Sequence, residues 1–289
     1  MKKVILIKDF YGYCPGLKQS LKIADELAVT AEKGHKKIFF DVPLAHNEKV
    51  SKNLQESGFR KIKLKEDIKG KGNYFLTSAH GANPQKYRWL KDHDFVITNA
   101  TCPRVRIVQE LAEKDYKAGY QIVIFGKADH DEVKGVNGHT DNSAIVFRGI
   151  DDAYGIKLTK KASVLCQTTL PSDDFLESVE IIKKNNPKIK IVVRNTVCPI
   201  VENRMKHIID YLKKEHVGLA VVVGSRTSSN TKLLASRLKR HTATIMVDDE
   251  KELQKHLPVF RKIDKILVAS GTSAPPEIVE KVAQELRKN

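Results

Sequence analysis

Short runs of apolar, often β-branched residues alternate along the chain with longer amphipathic stretches. Short apolar runs bounded by turn residues predict β-strands, and apolar residues repeating every three or four positions predict helices. Regular alternation of the two is typical of parallel sheets built from βαβ units, so the sequence predicts an α/β fold. The predicted strands lie at residues 4–7, 37–40, 74–77, 95–98, 121–125, 144–147, 164–166, 190–193, 219–223, 244–247 and 266–269.

A Cys-Pro pair occurs three times, and a helical stripe of apolar residues follows each pair. Because proline suits the first helical position, the pattern places each cysteine at a helix N-cap. The pairs are Cys14-Pro15, Cys102-Pro103 and Cys198-Pro199. The stripes are Leu17, Leu21, Ala24 and Ala28, then Val105, Val108 and Ala112, then Val201, Met205, Ile208 and Leu212.

Two polar clusters follow each cysteine in the same order, so the chain contains a weak internal triplication. The first clusters lie at 45–48, 129–132 and 227–230, and the second at 78–81, 167–170 and 270–273. Ligands of open α/β sheets bind beyond the carboxyl ends of the strands. Three similar α/β modules with mostly parallel sheets around a pseudo-threefold axis would direct these clusters at one central pocket.

The repeat predicts three modules. The first is expected at 14–100, the second at 101–195 and the third at 196–289. The predicted strand at 4–7 precedes the first cysteine as the strand at 190–193 precedes the third. We therefore expect the N-terminal segment 1–13 to complete the third module.

The three repeated cysteines are candidate metal ligands. A cysteine at a helix N-terminus lies in a positive field that favours the thiolate, which is the metal-binding form. Three converging thiolates suit a [4Fe–4S] cluster with one open iron site, and they also suit zinc with a fourth histidine ligand. The chain lacks the closely paired cysteines usual in zinc sites, yet zinc and purely structural thiols remain alternatives. Cys166 lies in a predicted strand and is expected to be a packed core thiol.

Composition narrows the possible functions. The formal net charge is +16, but the lysines and arginines are scattered and no known nucleic-acid motif occurs, which argues against nucleic-acid binding. A basic surface also suits an acidic electron carrier. The four cysteines include no C-x-x-C pair, so we expect no disulfide framework and a cytoplasmic location. No apolar run approaches the roughly 18–20 residues that span a bilayer, and no membrane association is expected.

Taken together, the motifs resemble one known family over the whole chain, the 4-hydroxy-3-methylbut-2-enyl diphosphate reductases, or IspH/LytB family. Each motif alone is weak, but all occur in the order of the family. They are Gly12-Tyr13-Cys14-Pro15-Gly16, Ala45-His46-Asn47, Ser78-Ala79-His80-Gly81, Ala100-Thr101-Cys102-Pro103, His130-Asp131-Glu132-Val133 with Gly135 and Gly138, Gln167-Thr168-Thr169-Leu170, Asn195-Thr196-Val197-Cys198 with Asn203-Arg204, Gly224-Ser225 with Ser228-Ser229-Asn230, and Ser273-Ala274-Pro275.

The resemblance implies three α/β modules around a central [4Fe–4S] cluster with an open iron, and a reductive dehydroxylation of an allylic diphosphate to isopentenyl and dimethylallyl diphosphate in the non-mevalonate pathway. Electrons would come from ferredoxin or flavodoxin. Carried over residue by residue, the cluster ligands would be Cys14, Cys102 and Cys198. Glu132 would be the acid, and Thr168 would relay its proton or hold the hydroxyl. Donors to the diphosphate would be His46, His80, His130, Thr169, Ser228, Ser229, Asn230 and Ser273.

Four departures from the family pattern keep other functions open. Lys127 and His139 stand where the family has His and Gln, Gln19 replaces a basic residue, and Pro199-Ile200-Val201 replaces an Ala-Thr-containing stretch. The alternatives are a paralogous [4Fe–4S] reductase with a different substrate, and a non-catalytic iron–sulfur redox protein. The presence of Glu132 argues against the latter.

Overall fold

The computed structural model describes residues 3–64, 68–260 and 263–288. The strands are β1 Lys3–Leu6, β2 Ile38–Phe40, β3 Phe59–Lys61, β4 Tyr74–Leu76, β5 Val96–Thr98, β6 Gln121–Phe125, β7 Ile145–Phe147, β8 Ala162–Cys166, β9 Ile191–Arg194, β10 Leu219–Val223, β11 Thr244–Val247 and β12 Lys265–Ser270. The helices are α1 Pro15–Lys33, α2 Glu48–Glu56, α3 Pro84–Asp92, α4 Pro103–Lys117, α5 Asp131–Gly138, α6 Ile150–Tyr154, α7 Ser172–Asn185, α8 Pro199–Lys214, α9 Ser229–Leu238, α10 Glu250–Gln254 and α11 Pro276–Lys288. None of these helices, within the described ranges, is both long and apolar enough to cross a membrane.

The strands form three four-stranded sheets with the same internal order. The orders are β3-β2-β4-β5, β7-β6-β8-β9 and β11-β10-β12-β1, and every pair is parallel. In the third sheet β1 occupies the edge position that β5 and β9 occupy in the others, with Lys3 opposite Lys265. The predicted α/β class and the threefold repetition of parallel sheets are confirmed.

One strand was missed by the sequence pattern. β3 pairs with β2 at the edge of its sheet, and of its residues Phe59 is buried whereas Arg60 and Lys61 are exposed. A short edge strand with charged side chains lacks the apolar run that marks central strands. By contrast, β8 and β10 are buried along their whole length, as strands covered on both faces should be.

Alternate residues of a strand face opposite sides, and in the second sheet this places helices on both faces. Val123 and Phe125 of β6 pack in one apolar cluster with α7, whereas Ile122 and Ile124 pack in another with α4 and α5. The helix that follows Cys102 and the helix that carries Glu132 therefore lie on the same face of this sheet.

The chain forms two compact units. The first unit contains Met1–Lys18, Ala45–Lys52 and Pro199–Asn289, and the second contains Gln19–Leu44 and Asn53–Cys198. The third sheet lies in the first unit, and the other two sheets lie in the second. The division at 14–100, 101–195 and 196–289 stays a prediction.

Candidate active site

Each repeated cysteine immediately precedes a helix that begins at proline, as the Cys-Pro pattern predicts. α1, α4 and α8 begin at Pro15, Pro103 and Pro199. Cys102 is the N-cap of α4, and its side chain makes no capping hydrogen bond there. None of the four cysteines forms a disulfide; the three repeated thiols are partly exposed, whereas Cys166 is fully buried. Cys166 thus has the core position expected of it.

A backbone hydrogen bond recurs at all three cysteines and links each of them to the second polar turn of another repeat. These turns follow β12, β4 and β8, and in each a backbone carbonyl accepts the bond from the cysteine N–H. The pairs are Cys14 N to Thr272 O at 3.1 Å, Cys102 N to Ala79 O at 3.0 Å and Cys198 N to Thr168 O at 2.8 Å. This bond fixes the backbone of each cysteine against the turn, so the second polar clusters lie beside the thiols.

Two asparagines before the cysteines were given no role by sequence reasoning, although Asn195 belongs to one of the family motifs. The Asn99 side chain accepts from the N–H of Thr101 at 3.0 Å, and the Asn195 side chain accepts from the N–H of Val197 at 3.3 Å. Such Asx turns fix the backbone locally. Each asparagine lies three residues before its cysteine, and that repeated spacing was the signal that could have found them.

A buried arginine stabilises the loop that carries Cys14. Arg204 of α8 donates to the carbonyl of Gly12 at 2.8 Å. Burial lowers the pKa of the Arg204 guanidinium, and the charge of the nearby Cys14 side chain raises it in part. A cation buried beside this thiol favours the thiolate.

These thiols suit an iron–sulfur group. None of the three forms a disulfide, and each is partly exposed and located at a helix N-terminus, where the helix dipole favours negative charge. Arg204 adds a positive charge at Cys14. Such thiolates are the ligands that iron–sulfur clusters require. The donor set therefore fits the cluster that the resemblance implies.

The predicted acid, Glu132, lies in the first turn of α5 and is 2% exposed. Its Oε1 accepts from the N–H of Thr168 at 2.7 Å, and its Oε2 lies 2.8 Å from Thr168 Oγ1. Burial raises the pKa of Glu132 to about 7, although both hydrogen bonds from Thr168 act to lower it. The carboxyl group can therefore hold or release a proton near neutral pH.

Two predicted histidines lie beside this acid in the second unit. His130 is the N-cap of α5, and its Nδ1 accepts from the N–H of Glu132 at 3.2 Å. A neutral His130 therefore carries its proton on Nε2. The rings of His80 and His130 meet edge to face, with centroids 5.6 Å apart.

The packing of α5 on the turn after His80 explains the Gly135 and Gly138 motif. A Cβ atom on Gly138 would lie 2.2 Å from Cβ of Asn83, and one on Gly135 would lie 3.1 Å from Nε2 of Gln109. The buried Gln109 of α4 also fills the space beside Gly81. Only small residues allow α5 to come this close, and Gln109 is a site-supporting residue that the sequence did not reveal.

Thr169 and Lys127 lie on either side of one glutamine. Gln167 donates through Nε2 to Thr169 Oγ1 at 3.1 Å, and its Oε1 accepts from the N–H of Lys127 at 3.1 Å. The departure at Lys127 therefore lies beside the turn that carries Thr168. His139, by contrast, lies at the other end of α5, 3.1 Å from Glu113.

The first unit contains a second polar group at the N-terminus of α9. Ser228 is the N-cap, and its Oγ accepts from the N–H of Thr231 and from the hydroxyl of Ser273 at 3.4 Å. Oδ1 of Asn230 accepts from the N–H of Thr272 at 2.7 Å. Ser229 is the first residue of α9 and is partly exposed.

His46 belongs to the corresponding cluster at α2. It is partly exposed and directly precedes the buried Asn47. The side chain of Asn47 accepts from the N–H of Lys49 at 3.0 Å, which caps the helix. All three first clusters thus form the N-termini of helices, at α2, α5 and α9, where backbone N–H groups favour anions.

Comparison with known proteins agrees with this geometry. The family model described as LytB protein matches residues 4–287. The 4-hydroxy-3-methylbut-2-enyl diphosphate reductase of Helicobacter pylori (strain Shi470) is 34% identical, and the alignment covers 98% of each chain. The enzyme of that name from Dictyoglomus thermophilum is 31% identical over 98% of this chain and 96% of its own. The structure of the E-1-hydroxy-2-methyl-but-2-enyl-4-diphosphate reductase from Plasmodium falciparum matches with a TM-score of 0.88 and 26% identity, over 98% of this chain and 87% of that one. With a family match and full-length relatives of this kind, the chain belongs to the LytB protein family.

Proposed function

We propose that this protein reduces 4-hydroxy-3-methylbut-2-enyl diphosphate to isopentenyl and dimethylallyl diphosphate in the non-mevalonate isoprenoid pathway. The reaction uses two electrons and two protons, cleaves the allylic carbon–oxygen bond and releases water. The observation that carries the proposal is the buried Glu132, which contacts Thr168 in the same turn that anchors the backbone of Cys198. One turn thus bonds both the acid and a candidate metal ligand. Membership of the LytB family supports the identity of the substrate.

The cysteines Cys14, Cys102 and Cys198 would hold a [4Fe–4S] cluster with one open iron site. When bound, this group supplies the electrons and a binding site for the substrate hydroxyl. Cys166 is excluded from the ligand set because it is fully buried, and the contact of its Sγ with the carbonyl of Gln167 is that of a core thiol.

Glu132 supplies the proton. Its Oε1 accepts the N–H of Thr168, so the proton of the neutral acid belongs on Oε2, which faces Thr168 Oγ1. When Glu132 is ionised, the hydroxyl of Thr168 donates to Oε2. When Oε2 carries the proton, this bond reverses, so that the hydroxyl of Thr168 accepts and its own hydrogen can point at the substrate. Hydroxide is a poor leaving group, and a proton delivered along this path lets it leave as water.

The polar side chains at the helix N-termini would bind the diphosphate. Because Oδ1 of Asn230 is occupied by the N–H of Thr272, its Nδ2 group is left to donate. Ser228 Oγ accepts two hydrogen bonds, which leaves its own hydrogen for an anion. A neutral His130 donates through Nε2. The remaining proposed donors are His46, His80, Thr169 and Ser229. Ser273 is proposed to act through Ser228, to which its hydroxyl donates.

A ferredoxin or a flavodoxin would supply the electrons. The excess of positive charge, +16, favours encounter with such acidic carriers. None of the four cysteines forms a disulfide, which supports a reducing compartment, and we place the reaction in the cytoplasm.

A related reductase with a different substrate is the second candidate. It is favoured by Lys127, whose backbone N–H bonds the same Gln167 that bonds Thr169. A cationic side chain in this position can change which anionic group the site prefers.

Anaerobic assay and Mössbauer spectroscopy test the proposal together. With reduced methyl viologen as donor, we expect turnover of the diphosphate, and we expect one iron of the cluster to change its Mössbauer parameters when substrate is added. Ser substitution of Cys14, Cys102 or Cys198 should abolish the stable cluster, while Cys166→Ser should keep it. An intact cluster without turnover of this diphosphate would favour the second candidate.

A further inference from the structure

We propose that an exposed side of α4 docks the acidic protein that delivers electrons. The α4 face consists of Pro103, Arg104, Arg106 and Ile107. The inference rests on the proposed function, since a reductase must receive its electrons from a donor.

The α4 face adjoins a cysteine of the candidate cluster. Cys102 is the N-cap of α4, and all four residues of the face lie in the next two turns of the helix. The thiol of Cys102 is partly exposed, and Pro103 and Arg104 beside it are exposed. A carrier that covers this face is therefore close to a ligand of the group that it must reduce.

The charge of the α4 face is positive and uncompensated. The first turn of α4 contains no acidic residue. In the part of the chain that the structure describes, neither Arg104 nor Arg106 forms an ion pair. The first acidic residue along the helix, Glu110, comes a full turn after Arg106. An acidic partner would supply the missing countercharge.

The α4 face also offers an apolar contact. The side chain of Ile107 is 44% exposed, although it is a large aliphatic residue. Interfaces are enriched in arginine relative to lysine, and they combine such apolar centres with a polar rim. Two arginines around an exposed isoleucine have this composition.

In their first two turns, the helices that follow the other two cysteines do not combine unpaired positive charge with an exposed aliphatic side chain. In the first turn of α8, Glu202 is acidic, and Arg204 is buried. In α1, Lys18 is exposed but Lys22 is paired with Glu26 at 3.8 Å, and Leu21 is only partly exposed. The charge and the exposed aliphatic side chain coincide on α4.

A small charged face suits a carrier that must leave after each delivery. The reaction needs two electrons, and a one-electron carrier must dock twice per turnover. Electron-transfer complexes bury little area and dissociate fast, and complementary charge maintains their association rate. Such rates fall steeply with ionic strength.

The test is charge reversal on the holoenzyme, with reduced ferredoxin and reduced methyl viologen as alternative donors. The double variant R104E/R106E should lower kcat/KM for ferredoxin at least about 10-fold at low salt, and added salt should narrow the difference. Its viologen-driven turnover and its cluster absorption should stay within about 2-fold of the wild type. I107S should raise KM for ferredoxin with little change in salt dependence.

The matched control reverses two exposed lysines of the second unit, K188E/K190E. These residues precede β9, whereas Cys198 follows it, so they lie at the other end of that strand. The control changes the net charge equally and should leave ferredoxin-driven turnover near the wild type. Equal losses in both double variants, or unchanged ferredoxin kinetics in R104E/R106E, would overturn the docking face. A parallel fall with viologen would also overturn it, because the arginines would then act on the cluster. Absence of viologen-driven turnover in the wild type would instead refute the proposed function.

Discussion

The N-termini of α5 and α9 occupy equivalent places in two repeats, and they differ in one functional group. In each, a residue two positions after the N-cap accepts the N–H of a turn threonine at 2.7 Å. In α5 the pair is Glu132 and Thr168, and in α9 it is Asn230 and Thr272. The carbonyl of each threonine also accepts the N–H of a repeated cysteine, Cys198 at Thr168 and Cys14 at Thr272.

This difference shows how one backbone frame supports two chemistries. The carboxyl group of Glu132, buried in this frame, has its pKa raised to about 7 and can transfer a proton. The amide of Asn230 makes the same backbone contact, carries no proton to transfer, and leaves its Nδ2 group as a donor. The first repeat differs again, because the corresponding N–H, that of Ala79, donates to the carbonyl of Leu44.

The largest effect is expected from Glu132→Gln, which gives the α5 site the amide chemistry of the α9 site. The glutamine keeps the acceptor for the N–H of Thr168 but cannot donate the proton. We expect turnover to fall about 10²–10⁴-fold, with substrate binding and cluster content unchanged. Single-turnover kinetics with viologen would measure it, and near-wild-type turnover would move the proton source to another group.

The pH dependence of the free energy of unfolding should also distinguish the carboxyl group of Glu132 at α5 from the amide of Asn230 at α9. Glu132 has a pKa of about 7 in the folded protein against an ordinary value of 4.5, so the folded state binds the extra proton between these two pH values. The free energy of unfolding should therefore fall as pH rises from 4.5 to 7, by an amount of order 3 kcal/mol at most, and level off above.

Glu132→Gln should remove this part of the pH dependence, whereas Asn230→Gln, which changes no titratable group at the equivalent position, should leave it unchanged. Denaturant unfolding of the apoprotein at several pH values measures the slope. An equal slope in the wild type and in Glu132→Gln would show that the carboxyl group is not buried in the folded protein.

Asn230→Ala should weaken substrate binding without a comparable loss of chemistry. Removing one donor to a charged diphosphate typically costs about 1–3 kcal/mol. Calorimetry should show this loss, while turnover at saturating substrate should stay within about 10-fold of the wild type. A large fall in saturated turnover with unchanged affinity would assign Asn230 to catalysis rather than to binding.

The smallest of these effects is expected from a change in the packing of α5 against the turn that carries His80. In Gly138→Ala the new methyl group would lie 2.2 Å from Cβ of Asn83, which forces α5 away from the turn that carries His80. We expect about 1–3 kcal/mol of destabilisation and a higher KM for the diphosphate. Gly155→Ala is the control, since its methyl group meets nothing nearer than 3.6 Å. An unchanged KM in Gly138→Ala would show that this packing does not position His80 or His130.

Much of the architecture could be predicted from the sequence, because strands covered on both faces leave continuous apolar runs. β6, β8, β10 and β12 all show this pattern. The strand β3 could not be found, since only Phe59 is buried there. Proline after each cysteine also predicted the starts of α1, α4 and α8, because proline is compatible only with the first turn of a helix.

The roles of the candidate site residues were harder to predict, because they depend on contacts between distant segments. The motifs selected Glu132 and Thr168, but no pattern places them 2.8 Å apart. Gln109 resembled any polar residue of an amphipathic helix, yet it is buried between two glycines. Arg204 similarly appears as an ordinary helical arginine until its bond to Gly12 is seen.

The sequence by itself determined the three Cys-Pro helices, the parallel α/β class and the residue types available for metal and anion binding, since these follow from local spacing and side-chain chemistry. Only the tertiary structure decided that Glu132 is buried against Thr168, that its pKa lies near neutrality and that each cysteine backbone bonds a polar turn of another repeat. The physical reason is that desolvation and hydrogen bonding depend on which segments the fold brings together, and local sequence does not encode those neighbours.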